Sequence, residues 1–158
     1  MRKRLLTILV CVLALSLSSF AAPKSKKKPA ASGAPDKAYL AKLLAGWSSG
    51  DPATMTQYYD QGDYTFFDIA PVRYSNWAEY QKGVTELLKG YKSLKLTLND
   101  DAQIHTDGNL TWTTATIKED AVTTAGKHEL ATLRWTVIFE KQAGKWMIVH
   151  EHTSEPLQ

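Results

Sequence analysis

The stretch that decides the fold is residues 110–154, LTWTTATIKEDAVTTAGKHELATLRWTVIFEKQAGKWMIVHEHTS. It holds three segments rich in Thr, Trp, Val, Ile and Phe, at residues 110–117, 128–141 and 146–154. A short turn containing glycine precedes the second segment and another precedes the third. Residue types of this kind favour β-strands, and short turns containing glycine join antiparallel neighbours. The stretch therefore predicts three antiparallel strands in succession.

The part of the chain before residue 110 reads as helices and shorter strands. Apolar residues recur at i, i+3 and i+4 through residues 37–47, which predicts an amphipathic helix with Asp36 as its N-cap. The further predicted elements are a short helix over 53–59, a strand over 64–68, a helix over 77–88, and strands over 93–99 and 103–105.

Segregation of the helices from a set of antiparallel strands indicates an α+β domain. Long antiparallel strands twist and curl, so we expect a curved antiparallel sheet packed on about three helices in the shape of a cone. Such a cone leaves a cavity between helices and sheet, where a small ligand binds most naturally.

The first 21 residues have the pattern of a cleavable export signal. Arg2, Lys3 and Arg4 precede an uncharged apolar run, and Ser19 and Ala21 fit the small residues of a cleavage site. The run is shorter than the roughly 20 residues that span a bilayer. We therefore predict a protein exported to the periplasm or the medium, without a transmembrane segment after cleavage.

The sole cysteine lies within the predicted signal, which excludes disulfides and thiol chemistry from the predicted mature chain.

Residues 22–35 are rich in Lys, Pro and Ala and predict a solvated linker to a single domain over residues 36–156. Seven of the 19 Lys and Arg residues precede residue 36 and none of the 16 acidic residues does, so residues 36–158 carry a formal charge of −4. A nucleic-acid surface needs clustered cations on the domain, so we predict no nucleic-acid partner.

Asp68 is the candidate catalytic residue. It ends an aromatic strand beside Ile69 and Pro71, and a carboxylate in such apolar surroundings has a raised pKa that suits a general acid or base. The alternative is a turn aspartate that caps backbone amides before Pro71.

The last strand brings a second candidate site. By simple alternation, His150 and His152 share a face with Trp146 and Ile148, whereas Glu151 falls on the opposite face as an ordinary surface or interface acid. Two histidines at this spacing bind a metal only with a third converging ligand. No such ligand can be identified, so we predict no metal and no other cofactor.

The remaining candidate ligand-binding residues are a cation and three aromatic side chains. Arg134 begins an apolar strand, where it either clamps a ligand carboxylate or pairs with a nearby acid. Tyr58, Tyr74 and Trp77 flank the predicted mouth of the cone, where aromatic residues form walls and phenols donate to ligand oxygens.

Residues 143–154, AGKWMIVHEHTS, resemble the closing strand of the nuclear transport factor 2-like superfamily, especially SnoaL-like domains and the association domain of calcium/calmodulin-dependent protein kinase. Residues 64–71, YTFFDIAP, followed by the Trp77 helix, resemble the same superfamily, and the resemblance covers residues 36–156. It implies the cone fold described above. It does not select an activity, since the superfamily holds isomerases, cyclases, dehydratases and non-catalytic binding or assembly domains.

Asp68 resembles the catalytic aspartate of the ketosteroid isomerases in this superfamily. The oxyanion partners of those enzymes are not matched, because Leu43 and Thr136 stand near the corresponding positions. The resemblance to association domains implies that Arg134 and His152 lie in the pocket.

Three hypotheses follow. The first is an exported domain that binds a small, partly apolar and carboxylated ligand in the cone, with Arg134, His152 and Tyr74 as anchors. The second is a cofactor-free isomerase, cyclase or dehydratase with Asp68 as general acid or base. The third is an assembly domain. We expect a homodimer through the outer face of the sheet, as the resemblance implies.

Overall fold

The computed structural model describes residues 33–157, so the predicted export signal and most of the predicted linker lie outside the described residues. The described part contains three helices and six strands in this order: α1 (Lys37–Trp47), a 3-10 helix (Pro52–Tyr58), β1 (Phe66–Phe67), α2 (Trp77–Leu88), β2 (Tyr91–Leu98), β3 (Gln103–Asp107), β4 (Leu110–Thr123), β5 (His128–Gln142) and β6 (Lys145–Ser154). No helix within residues 33–157 is long and apolar enough to cross a membrane.

The helices begin where their sequence provides a cap. The Asp36 side chain accepts from the Tyr39 backbone N–H at 2.8 Å, and Asn76 caps α2 in the same way through Glu79. These side chains satisfy backbone donors that a helix leaves open in its first turn. The predicted stripe of α1 is buried and consists of Leu40, Leu43, Leu44 and Trp47.

The strands form one curved, unclosed sheet in the order β1-β6-β5-β4-β2. All pairings are antiparallel except that of β1 with β6. β4 is long enough to pair with β3 along its first half and with β2 along its second half. The predicted α+β class, with a curved sheet on three helices, is confirmed.

The two-residue turn between β5 and β6 fixes the start of the last strand. Gln142 pairs with Lys145, and both Ala143 and Gly144 have positive φ. Positive φ at both central residues is the conformation that suits the twist of a tight hairpin. β6 therefore starts in register, with Trp146 and Ile148 buried against the helices.

A β-bulge then reverses the phase of β6. Phe139 pairs with Ile148 and Ile138 pairs with His150, so Val149 has no partner across the pair. One extra residue shifts every later side chain to the other face. The predicted faces of β6 are therefore wrong beyond Ile148. Glu151 points into the cone and is 2% exposed, while His152 lies on the outer face and is exposed.

The core lies between the inner face of the sheet and the helices. Tyr59 stacks on Trp77 with ring centroids 4.1 Å apart, and the rings of Trp47 and Tyr80 contact this pair at 5.9–6.0 Å. Offset and edge contacts of this kind add to the burial of large apolar surfaces. This aromatic cluster joins α1, the 3-10 helix and α2, and it positions Tyr59 beneath the sheet.

Candidate functional site

A cavity opens between the helices and the inner face of the sheet. Its inner part has a volume of about 90 Å³ and leads to a wider mouth of about 540 Å³. The two parts share lining residues from the β1–α2 loop, α2, β2 and β4, namely Ile69, Leu87, Leu88, Leu94 and Glu119. The cone is therefore not completely filled by its own core, and one end is accessible from solvent.

The wall of the inner cavity is mainly apolar and aromatic. Trp47 from α1, Tyr80 from α2 and Trp135 from β5 line it together with leucines from both helices and from the sheet. Trp135 faces inward because it continues the buried alternation of Leu133 and Val137. Apolar walls with a few polar groups are the usual composition of a small-molecule site.

Glu151 forms the polar floor of this cavity. Its carboxylate accepts hydrogen bonds from the Tyr59 hydroxyl and, at 2.5 Å, from Trp135 Nε1. Trp47 Nε1 in turn donates to the Tyr59 hydroxyl at 3.2 Å. The carboxylate is thus held by neutral donors from the 3-10 helix end and from β5, which fix its position among buried rings.

Burial raises the pKa of Glu151 to about 7, because a charged carboxylate loses its hydration inside the cone. Hydrogen bonds from Tyr59, Trp135 and Tyr80 oppose this rise, while the charge of Asp68 adds to it. The same surroundings raise the pKa values of Tyr59 and Tyr80 well above the ordinary phenol range, primarily through burial. Both phenols therefore remain protonated donors at neutral pH.

Asp68 also lines the inner cavity. It follows β1, and its Oδ1 accepts from the Ile69 backbone N–H at 2.8 Å. Burial raises the pKa of Asp68, and the Ile69 hydrogen bond acts in the opposite direction. Both readings of this residue apply, since Asp68 caps a backbone amide and also presents a desolvated carboxyl group to the cavity.

Glu119 is the third carboxylate of the cavity. It lies on β4 between the inner cavity and the mouth. Burial raises the pKa of Glu119, and the negative charges of Glu155, Glu129 and Asp68 add to the rise. The charge on Asp68 raises the pKa of both glutamates, and all three carboxylates line the inner cavity.

The predicted anchors Arg134 and His152 do not reach this space. Both are exposed on the outer face of the sheet, and neither lines the inner cavity or its mouth. His150 lies on the same outer face, where its Nδ1 is 2.8 Å from the Thr65 carbonyl oxygen. The Phe67 ring contacts both histidines, with centroids 5.6 and 5.7 Å away. The expected inward position of Arg134 and His152 is wrong.

The predicted aromatic residues support the cavity without lining it. Trp77 is in the core and donates from Nε1 to Thr56 Oγ1 at 3.3 Å. Tyr74 is buried, and its hydroxyl donates to the Ala70 carbonyl at 3.1 Å. Tyr58 makes an edge contact with Tyr39. None of these three residues lines the inner cavity or its mouth, so ligand contact by them stays a prediction.

The sequence analysis did not predict that Glu151, Glu119 and the aromatic residues Trp47, Tyr80 and Trp135 line the cavity. The inward position of Glu151 depends on the bulge at Val149, and no residue in the β6 sequence indicates that a bulge forms there. Glu119 lies in the charged run at residues 118–120, which resembles the end of a strand although β4 continues to Thr123. The inward phase of Trp135 could have been found, since it alternates with the apolar Leu133 and Val137.

No group of three His, Cys, Asp or Glu side chains within residues 33–157 is arranged to hold a metal ion. The three carboxylates of the cavity therefore line its wall without converging on one point. What the arrangement offers is proton exchange or electrostatic attraction at a cavity wall.

We predict that Glu151 makes the stability of the protein fall as pH rises from about 4.5 to 7.5. The pKa of Glu151 is higher in the folded chain than the ordinary value of about 4.3, so protonation favours folding and this contribution disappears as pH passes 7. Relative to Glu151→Gln, the wild-type unfolding free energy should fall by about 3 kcal/mol over this range.

Urea unfolding of both proteins across this pH range measures the difference. Glu86→Gln, at an exposed ion pair with Lys89, is the matched control and should keep the wild-type slope. Parallel pH profiles for wild type and Glu151→Gln would contradict the assignment of a buried, titrating carboxylate.

Comparison with solved structures places this fold among known relatives. A nuclear transport factor 2-like superfamily protein from Salmonella enterica is 20% identical with a TM-score of 0.67, covering 75% of this chain and 89% of that one. A candidate calcium/calmodulin-dependent protein kinase II association domain from Xanthomonas campestris is 19% identical with a TM-score of 0.65, covering 83% and 96%. A candidate dehydratase of the same superfamily from Streptomyces avermitilis is 15% identical with a TM-score of 0.66, covering 77% and 95%.

At these identities the likeness establishes the fold alone. No curated protein sequence matches the chain. The model of the SnoaL-like domain family matches residues 37–158, which is most of the chain and all of the helices and strands described above. The chain therefore belongs to the SnoaL-like domain family.

Proposed function

We propose that this protein binds a small, largely apolar ligand in the cone cavity. The observation that carries the proposal is an apolar cavity, open at one end, with three aromatic side chains in its wall and the buried carboxylate of Glu151 at its floor. A domain that served only for assembly would have no need to keep such a space open, because filling it would gain packing energy.

The mouth of the cavity supports the same proposal. Ile69, Leu87 and Leu130 line it and are 52%, 47% and 60% exposed. Exposed apolar side chains grouped around a concave opening are characteristic of a binding site, whereas isolated ones are common on any surface. An apolar ligand entering here would cover these residues and remove their apolar surface from water.

The polar anchors differ from those predicted by the sequence. Asp68, Glu119 and Glu151 line the inner cavity in place of Arg134 and His152. A carboxylated ligand would be repelled by these side chains, so the ligand we propose is neutral or positively charged. A carboxylated ligand would also lack the expected anchor, because Arg134 lies on the outer face of the sheet.

We predict that Thr153→Phe weakens ligand binding at least tenfold, because Thr153 lines the inner cavity and a phenyl ring would occupy it. His152→Phe is the matched control, since the neighbouring side chain points to the outer face and should leave binding unchanged. Binding is measured by thermal shift over a panel of small neutral, cationic and anionic compounds, and then by quenching of tryptophan fluorescence.

A panel in which no compound raises the melting temperature of the purified protein would overturn the proposed function. Binding that survives Thr153→Phe but is lost in His152→Phe would place the site on the outer face instead.

Proton transfer at Asp68 is the second candidate function. One carboxylate oxygen is held by the Ile69 N–H, and no described residue forms a hydrogen bond with the other, although Asp68 lines the cavity. A fixed, partly desolvated carboxyl group with one free oxygen suits a general base for a bound carbon acid. The phenol of Tyr80 stays protonated, and a ligand that displaced its hydrogen bond to Glu151 would receive this donor at the developing oxyanion.

For any turnover found with a bound compound, Asp68→Asn should lower kcat by at least 100-fold while the compound still binds. Asp107→Asn, an exposed aspartate at the end of β3, is the control and should keep full activity. Unchanged kcat in Asp68→Asn would remove this residue from the chemistry.

We also propose that two copies associate through the outer face of the sheet. Trp112 is 39% exposed there and stacks on His105, and Ile138 and His150 continue the row across β5 and β6.

Trp112→Glu should convert the dimer to a monomer in sedimentation velocity, and the control Lys92→Glu on β2 should leave the dimer intact. A wild-type protein that sediments as a monomer at high micromolar concentration would contradict the dimer.

Export remains part of the proposed function on the strength of residues 1–21. A mature protein whose N-terminus follows Ala21 would support it, and a protein that begins at Met1 in the cytoplasm would contradict it. Sequencing the N-terminus of protein recovered from each fraction distinguishes the two.

A further inference from the structure

The inner cavity has an unusual charge balance. Asp68, Glu119 and Glu151 line it, and none of the Lys, Arg or His side chains of residues 33–157 does. At the mouth, the Lys127 ammonium is already paired with Glu129 at 2.9 Å, and His128 Nε2 lies 2.8 Å from an Asp120 carboxylate oxygen. Within the described part of the chain, the cavity carboxylates therefore have no counter-charge.

The absence of a positive charge costs most free energy at Glu151, because this carboxylate is buried. It is 2% exposed and lines the cavity, and its hydrogen-bond partners Tyr59, Trp135 and Tyr80 are all neutral donors. A buried charge is normally balanced by an opposite charge, because desolvation is otherwise uncompensated. A cation placed in the cavity would supply the missing partner and would simultaneously relieve the repulsion among the three carboxylates.

Glu119 is the carboxylate best placed to receive such a cation. No described residue forms a hydrogen bond or ion pair with it, so its oxygens are available to a ligand. It lies where the inner cavity meets the mouth, on the path that an entering ligand takes.

The spacing of the acids and the nature of the walls indicate what kind of cation fits. The acids of residues 33–157 form no group that could hold a metal ion. The remaining wall is mainly aliphatic, and it includes three aromatic side chains, Trp47, Trp135 and Tyr80. Aromatic faces attract organic cations through the ring quadrupole, and they also bury the carbon skeleton that carries the charge.

We propose that the cavity selects an organic ammonium ion carried on an apolar body, which places its charge among Asp68, Glu119 and Glu151 and its body against the aromatic walls and the apolar mouth. This inference rests on the proposed ligand-binding function and names the ligand class of the same site. It excludes anionic ligands and predicts a preference for the charged amine over a neutral compound of equal shape.

The test uses compounds that share an apolar body and carry a cationic, neutral or anionic head group. Phenethylammonium, 2-phenylethanol and phenylacetate, together with the corresponding hexyl compounds, are titrated into the full-length protein at pH 7.5 by calorimetry. The ammonium compound should bind at least tenfold more tightly than the alcohol, and the carboxylate should not bind.

Two variants locate the effect. Glu119→Gln should reduce the ammonium-to-alcohol affinity ratio at least threefold without impairing folding, because Glu119 is only partly buried and has no partner to lose. Asp107→Asn removes an exposed charge outside the cavity and should leave the ratio unchanged.

The outcomes separate the two proposals. If the alcohols bind as tightly as the ammonium ions, the cavity binds ligands but the inference about charge is overturned. If Glu119→Gln and Asp107→Asn lower the ratio equally, the selectivity comes from net charge and the assignment to the cavity is overturned. If no compound of this set or of the broader panel binds, the proposed function is overturned together with the inference.

Discussion

The burial of the Glu151 carboxylate beneath aromatic rings is the constraint on which the rest of this structure depends. The side chain accepts from Tyr59, at the end of the 3-10 helix, and from Trp135 on β5. Tyr59 is itself held by Trp47 from α1 and by the stacked ring of Trp77 from α2. One carboxylate thus ties all three helices to the sheet through its neighbours.

The same arrangement explains why the cavity persists. Apolar side chains alone would pack together and fill the cone. The Glu151 carboxylate opposes this, because covering a polar group completely with apolar side chains costs free energy. The bulge at Val149 makes this possible, because it turns Glu151 inward after Trp146 and Ile148 have already packed against the helices. The bulge also turns His150 and His152 outward, so the inner face becomes acidic and the outer face carries the histidines.

Much of the fold could be predicted from local patterns. The caps at Asp36 and Asn76, the stripe of α1 and the turn before β6 follow from rules that involve neighbouring residues only. Strand bounds were less accurate where pairing decides them. β1 is limited to Phe66–Phe67 because only these residues pair with β6, and β4 extends to Thr123 because β2 and β5 both pair with its charged second half.

The site could be predicted only in part. Asp68 was identified because its apolar neighbours are adjacent in sequence, and they do raise its pKa by burial. Glu151 was assigned to the wrong face of β6. A single unpaired residue reverses which side chains face inward, and the residue types of the strand do not indicate where it occurs. The family resemblance implied an inward Arg134 and so favoured an anionic ligand, and the acidic lining of the cavity reverses that preference.

Titration of the Glu151 side-chain carboxyl by carbon-13 NMR tests the central claim most directly. A carboxyl group buried at the floor of this largely apolar cavity should titrate near pH 7, because burial raises its pKa. A carboxyl group that titrates near 4.3, the ordinary value for glutamate, would show that bulk water reaches Glu151, and it would contradict both the buried floor and the ligand cavity built on it.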